Sequence, residues 1–174
     1  MTDDQATRER EYESMFRANI RPIRAFTASM VSAAQVDDVV AATFMSAWQR
    51  FGDIPSDAQR PWLFGTARNH IRNTRRTDRR HLALVDAVET DPTWQATRAN
   101  EYDGVEAHPV LDAIRDLDDD DRELMLMTGW FEFTPDEIAS ILDEKPGTIR
   151  VRLHRVRKRL MDRLDSTGDT GATA

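Results

Sequence analysis

Residues 134–164 read TPDEIASILDEKPGTIRVRLHRVRKRLMDRL, and few folds can accommodate such a stretch. It opens on Thr134-Pro135-Asp136-Glu137, a capping box with proline at the first helical position. The Thr134 hydroxyl can accept from the Glu137 amide, and the Glu137 carboxylate can accept from the Thr134 amide. Ile138, Ile141 and Leu142 then share one helical face, with Ala139 and Ser140 as small neighbours. Residues 143–147 interrupt the pattern, because Pro146 disfavours helix at Lys145 and Gly147 tolerates a turn. Ile149, Leu153, Val156 and Leu160 follow at steps of four, three and four, a buried stripe on a second helix. Arg150, Arg152, His154, Arg155, Arg157, Lys158 and Arg159 fall on its other side. A short helix, a tight turn and a basic helix with a narrow apolar seam predict a helix-turn-helix. Its positive face suits the phosphates and base edges of a major groove. The plainer alternative is a surface helix with solvated charges.

The formal net charge of −7 on 174 residues speaks against nucleic acid until it is resolved along the chain. Residues 1–81 carry a net +3, residues 82–145 a net −14 and residues 146–164 a net +6. Two basic segments therefore flank an acidic middle, and each can face nucleic acid.

Upstream, Tyr12, Met15, Phe16, Ile20, Ile23, Phe26 and Met30 mark an amphipathic helix in which Pro22 is expected to make a kink or break. Val36, Val39, Val40, Phe44, Ala47, Trp48 and Phe51 form the apolar face of a second helix. Asp37 and Asp38 lie in its first turn, where the helix dipole favours negative charge. Residues 52–60 read as a loop, and Pro61 opens a third helix with Leu63, Phe64, Ala67 and Ile71 towards a core. Arg68, Asn69, Arg72, Arg75, Arg76 and Arg79 crowd its opposite side with Trp62 near the start. Arginines interleaved with an aromatic ring and an asparagine suit single-stranded DNA, where bases stack and phosphates are neutralised. Phe64 fits a core anchor and a stacking ring equally well.

Residues 82–107 are acidic and aperiodic, interrupted by Pro92 and Gly104, and read as a linker whose Trp94 and Tyr102 are expected to dock within a complex. Val110, Leu111, Ile114 and Leu117 predict one helix beyond it, and residues 124–131 the apolar part of another. Between them stand four consecutive acids, Asp118, Asp119, Asp120 and Asp121, which fit a helix-capping turn better than a cation site. The residues after Leu164 are expected to be disordered.

Cysteine is absent, which removes disulfides, thiolate zinc sites and cysteine nucleophiles. His70, His81, His108 and His154 are scattered, with no partner at ligand spacing, so neither metal nor cofactor is expected. No glycine-rich phosphate loop or catalytic constellation is visible, which points away from an enzyme. No apolar run approaches the roughly twenty residues that span a bilayer, and the first residues have no signal-peptide core. A cytoplasmic protein is expected.

Taken in order, VDDVVAATFMSAW, RPWLFGTARN and the pair FTPDEIASIL with PGTIRVRLHRVRKRL resemble the extracytoplasmic-function (ECF) sigma factors of bacterial RNA polymerase. The resemblance implies an all-α chain of two small helical domains joined by a flexible linker: residues 1–81, a linker over 82–107, a helix-turn-helix domain over 108–165, and a disordered tail over 166–174. It implies three partners: the clamp helices of the largest subunit of core RNA polymerase, promoter DNA, and an anti-sigma factor. Membrane insertion is not implied, and in the holoenzyme the protein would be nucleoid-associated. Asp37, Asp38, Val40, Phe44 and Trp48 would bind polymerase. Trp62, Arg68, Asn69, Arg72 and Arg76 would take the melted −10 strand, with Asn69 reading a flipped base. Arg150, Val151, His154 and Arg155 would read the −35 duplex, with Thr148, Arg152 and Lys158 on its phosphates. Ala41 and Ala42 stand where the family usually has a glutamine and a glutamate, and Val151 replaces a small polar residue. The alternative is a stand-alone helix-turn-helix regulator binding duplex DNA as a dimer.

Overall fold

The computed structural model describes residues 3–85, 113–114 and 116–168; among these every regular element is helical. The chain divides into two compact units, residues 1–101 and 102–174. In the first, α1 (Asp3–Ala28), α2 (Ala33–Gln49) and α3 (Gln59–Val85) pack on one another, with a 3-10 turn at Phe51–Asp53 after α2. In the second, α4 (Asp119–Gly129), α5 (Pro135–Leu142) and α6 (Pro146–Gly168) form another three-helix cluster.

The periodic apolar positions become the first unit's core. Ile23, Phe26, Leu63, Phe64, Ala67 and Ile71 are buried, and the rings of Phe26 and Phe64 meet at 5.1 Å between centroids. Phe64 is thus a core anchor, removed from any stacking role. Pro22 does not break α1, which runs unbroken from Asp3 to Ala28. Proline removes the bond to the Ala18 carbonyl, but Ala18 is exposed and water can satisfy that oxygen. Meanwhile Met15 and Asn19 before the proline, and Ile23 and Phe26 after it, are buried and hold both halves in one line.

Helix α2 starts at Ala33, so Asp37 and Asp38 lie beyond its first turn, and Ser32 with Gln35 caps it instead. The amide of Ser32 donates to Gln35 Oε1 at 3.3 Å and its hydroxyl donates to the same oxygen at 2.9 Å. Gln35 Nε2 then donates to Asp78 on α3, at 2.9 and 3.1 Å from the two carboxylate oxygens. Arg75 of α3 grips the Met30 carbonyl through Nε at 2.9 Å and Nη2 at 2.6 Å. Two side chains of the polar face of α3 are therefore structural ties.

In the second unit the capping box forms as its spacing requires. The Thr134 amide donates to Glu137 Oε2 at 2.8 Å, and the Glu137 amide donates to Thr134 Oγ1 at 3.3 Å. Ile138, Ile141 and Leu142 on α5 and Ile149, Leu153, Val156 and Leu160 on α6 are all buried. The turn between them differs from its sequence reading. Gly147 lies inside α6, and the left-handed residue is Asp143, at φ 56°. Aspartate tolerates that region better than most residues, and it lets the Glu144 amide reach the Ala139 carbonyl at 2.9 Å.

Ahead of α5, Glu132 is also left-handed, at φ 57°, and this reversal turns both Phe131 and Phe133 into the core while Trp130 stays 69% exposed. Asp118 caps α4 by accepting from the Asp121 amide at 2.9 Å, so part of the acidic run is a capping turn. Asp121 itself is buried and ion-paired to Arg159 of α6. Helix α6 continues to Gly168, past the point where the sequence predicts a tail. Helix α3 runs on through residues 82–85, which the sequence gives to the linker; residues 86–107, with Trp94 and Tyr102, Val110, Leu111 and residues 169–174 lie outside the described residues.

Candidate nucleic-acid interface

On α6 the buried stripe sets which side chains face outward. Thr148, Arg150, Val151, His154, Arg155 and Lys158 are exposed, all within about three and a half turns of the helix start. This is the part of a recognition helix that reaches base edges. The basic residues there fall into distinct groups. Arg152 is half-buried and donates to Glu144 in the turn at 2.7 Å, so it fastens α6 to the turn as well as adding charge. Arg159 stays exposed on the outward basic face while pairing with the buried Asp121, and Arg163 pairs with Asp116 at 3.4 Å, so both carry a carboxylate partner. Arg150 donates through Nη2 to both carboxylate oxygens of Asp136, the second residue of α5. Exposed pairs of this kind contribute about 0.2–1 kcal/mol to stability, so their consequence is chiefly geometric. Among the described residues no ion pair holds Arg155, Arg157 or Lys158.

On α3, Trp62, Asn69 and Arg76 are seven residues apart and stack along one line of the helix, with Arg72 beside it and Arg68 further round. Asn69, Arg72 and Arg76 are exposed, whereas Trp62 and Arg68 are half-buried. The line runs for about 21 Å at the helical rise per residue, long enough to follow several nucleotides. Half-burial suits Trp62, since a ring with one face packed can offer the other for stacking.

The polymerase candidates on α2 separate by burial. Val40 and Phe44 are 7% and 4% exposed and belong to the core. Phe44 meets Phe16 edge-on at 4.7 Å, and its carbonyl accepts from the Tyr12 hydroxyl at 2.8 Å. Burial raises the Tyr12 phenol above its usual pKa. Val40 and Phe44 both lie beneath the exposed face of α2. Asp37 is exposed but paired with Arg24 of α1; Asp38 is exposed. Trp48 is 40% exposed, edge-on to Tyr12 at 4.9 Å and lying 5.6 Å beneath the Arg8 guanidinium. Met45, 62% exposed, completes a stripe of Asp38, Ala41, Met45 and Trp48 that the apolar-face reading passed over. Its signal was the spacing of three, four and three from Asp38, the period of the outward face.

A basic helix-turn-helix and a three-helix unit with an arginine-bearing outer stripe on the same chain fit the sigma-70 class, and comparison with known proteins agrees. Residues 15–81 match the family described as Sigma-70 region 2, and residues 107–160 match Sigma-70, region 4. The RNA polymerase sigma factor CarQ of Myxococcus xanthus is 28% identical over 155 residues, covering 88% of this chain and 88% of its own. The ECF RNA polymerase sigma factor SigL of Mycobacterium tuberculosis is 29% identical over 141 residues, 79% of each chain. The sigma factor RpoE from Bartonella quintana, solved in complex with the anti-sigma factor NepR, superposes with a TM-score of 0.70 at 25% identity, covering 89% of this chain and 97% of that one. The chain belongs to the ECF sigma factors, promoter-specific initiation factors that act with RNA polymerase on DNA. A stand-alone regulator is not favoured. No helix among the described residues is long and apolar enough to cross a membrane.

Proposed function

We propose that this sigma factor divides initiation between its two units. The stripe of Asp38, Ala41, Met45 and Trp48 on α2 meets the clamp helices of core polymerase, flanked by Asp37 and shaped from below by Val40 and Phe44. Trp62, Arg68, Asn69, Arg72 and Arg76 on α3 take the melted −10 strand. Unstacking a base costs a few kcal/mol, which stacking and hydrogen bonds in a fitted pocket recover. Arg150, Val151, His154 and Arg155 read the −35 duplex, while Thr148, Lys158 and Arg152 meet its phosphates. The observation that carries this reading is the line of Trp62, Asn69 and Arg76 on α3: a duplex-binding repressor has no use for a second, single-strand surface. Ala41 offers only a methyl group on the α2 stripe, so Met45 and Trp48 bear more of that contact. The likeness to RpoE of Bartonella quintana, solved with NepR, supports an anti-sigma factor as a further partner.

Run-off transcription with purified core polymerase and genomic promoter fragments tests the reading. Transcripts that start only when the protein is added are the expected result. A footprint on duplex DNA without polymerase, and no new start sites, would return the simple regulator.

A further inference from the structure

We infer that Asp136 is a specificity-determining positioning residue, which holds the Arg150 guanidinium for base reading and keeps it off the phosphate backbone. The inference rests on the proposed role of α6 at the −35 element. Arg150 Nη2 lies 3.0 Å from Oδ1 and 3.1 Å from Oδ2 of Asp136, joining the first turn of α5 to α6. A guanidinium has five N–H donors, so a carboxylate on one nitrogen leaves enough of them for the paired acceptors O6 and N7 of a guanine edge. Two consequences follow from charge and entropy. A long side chain already held in one rotamer loses less freedom when DNA arrives. A carboxylate beside the guanidinium also offsets its charge, which weakens attraction to a phosphate while leaving the directional donors intact.

The neighbours show why this pair differs. Arg152 has a carboxylate partner too, but it is half-buried against Glu144 at 2.7 Å and ties down the turn. Arg157 and Lys158 are exposed with no ion pair among the described residues, the arrangement suited to phosphate attraction. Arg150 alone combines an outward position near the start of α6 with a partner that is itself exposed.

The test uses holoenzyme assembled from core polymerase and the full chain. Asp136→Asn, Asp136→Glu, Arg150→Ala and the double variant Asp136→Asn/Arg150→Ala are compared on a library of single-base changes through the −35 element, over a salt series. Arg150→Ala is expected to erase the preference at one base pair, about five- to a hundredfold in the parent. Asp136→Asn is expected to relax the same position by about tenfold while binding non-specific DNA more tightly, with a salt slope steeper by about one. Asp136→Glu restores part of the preference, and the double variant matches Arg150→Ala in selectivity. A merely structural aspartate would instead lower binding to every sequence alike, with no gain on non-specific DNA. That result, or an Asp136→Asn variant with unchanged preference and salt slope, overturns the inference, as does an Arg150→Ala variant that keeps every base preference. Failure of the parent protein to direct any promoter-specific start is distinguishable from these, because all variants share it, and it overturns the initiation role and the inference together.

Discussion

Asn69 and Asp118 show how differently two small polar side chains can act on the same chain. Asn69 is exposed in line with Trp62 and Arg76, where it can offer both a donor and an acceptor to an unstacked base. Asn69→Ala is expected to reduce open-complex formation on duplex promoters about three- to tenfold, the size of one or two hydrogen bonds, without loss of core polymerase binding. Permanganate reactivity of the −10 strand would measure it, and unchanged opening together with an unchanged −10 preference would remove Asn69 from its assigned role. Asp118 acts on stability. The Asp121 amide that it caps holds its carboxyl below the ordinary value of 3.8. A depressed carboxylate stabilises the folded state fully above its unfolded pKa, and the contribution is lost as pH falls through the lower folded value. Asp118→Ala is therefore expected to cost about 1 kcal/mol near neutral pH. The gap between variant and parent should close as the solution is taken below pH 3.8, which denaturant titrations across a pH series can follow.

At the scale of the element, α6 carries two functions on two faces. Ile149, Leu153, Val156 and Leu160 bury its seam, and at the seam's edge the exposed Arg159 reaches over to the buried Asp121. The Asp121 carboxylate is buried and loses its cation if Arg159 is removed, but water at the exposed guanidinium screens the pair and moderates that cost. Arg159→Gln is expected to destabilise the C-terminal unit by about 1 kcal/mol and leave the −35 base preference of the folded protein unchanged. Thermal melting and the −35 library separate the two effects; a shifted base preference at unchanged melting temperature would put Arg159 on the DNA side after all. Helix α2 is divided in the same way, with Phe44 packed under the surface that Met45 and Trp48 present.

For the whole molecule, each unit has its own core. Leu153 and Ile138 are buried within the second unit, as Phe26 and Leu63 are within the first. Such cores are expected to melt separately. Leu153→Ala, a large-to-small change in a buried stripe, should destabilise one calorimetric transition by about 2–5 kcal/mol and leave the other in place. A single transition that moves as a whole would show the two units to be coupled. The charge pattern also belongs to this scale, because a net −7 chain approaches DNA through two positive segments and not through its average.

Much of this was legible in the amino-acid order. Buried stripes at steps of three and four, the Thr134–Glu137 capping box and the basic outward face of α6 follow from helical geometry, which acts between residues only a few positions apart. The family resemblance carried by the α2, α3 and α6 segments rests on the same local patterns. Other features were decided only by distant parts of the chain meeting. Phe26 of α1 settles that Phe64 is core, and packing on both sides of Pro22 keeps α1 whole. Asp121 claims Arg159 from 38 residues away, and Arg24 claims Asp37 across 13. Asp136 claims Arg150 across the turn. Local order determined which residues could face outward, because periodicity assigns faces. Tertiary structure decided which of those charges were already engaged, because an ion pair depends on approach in space.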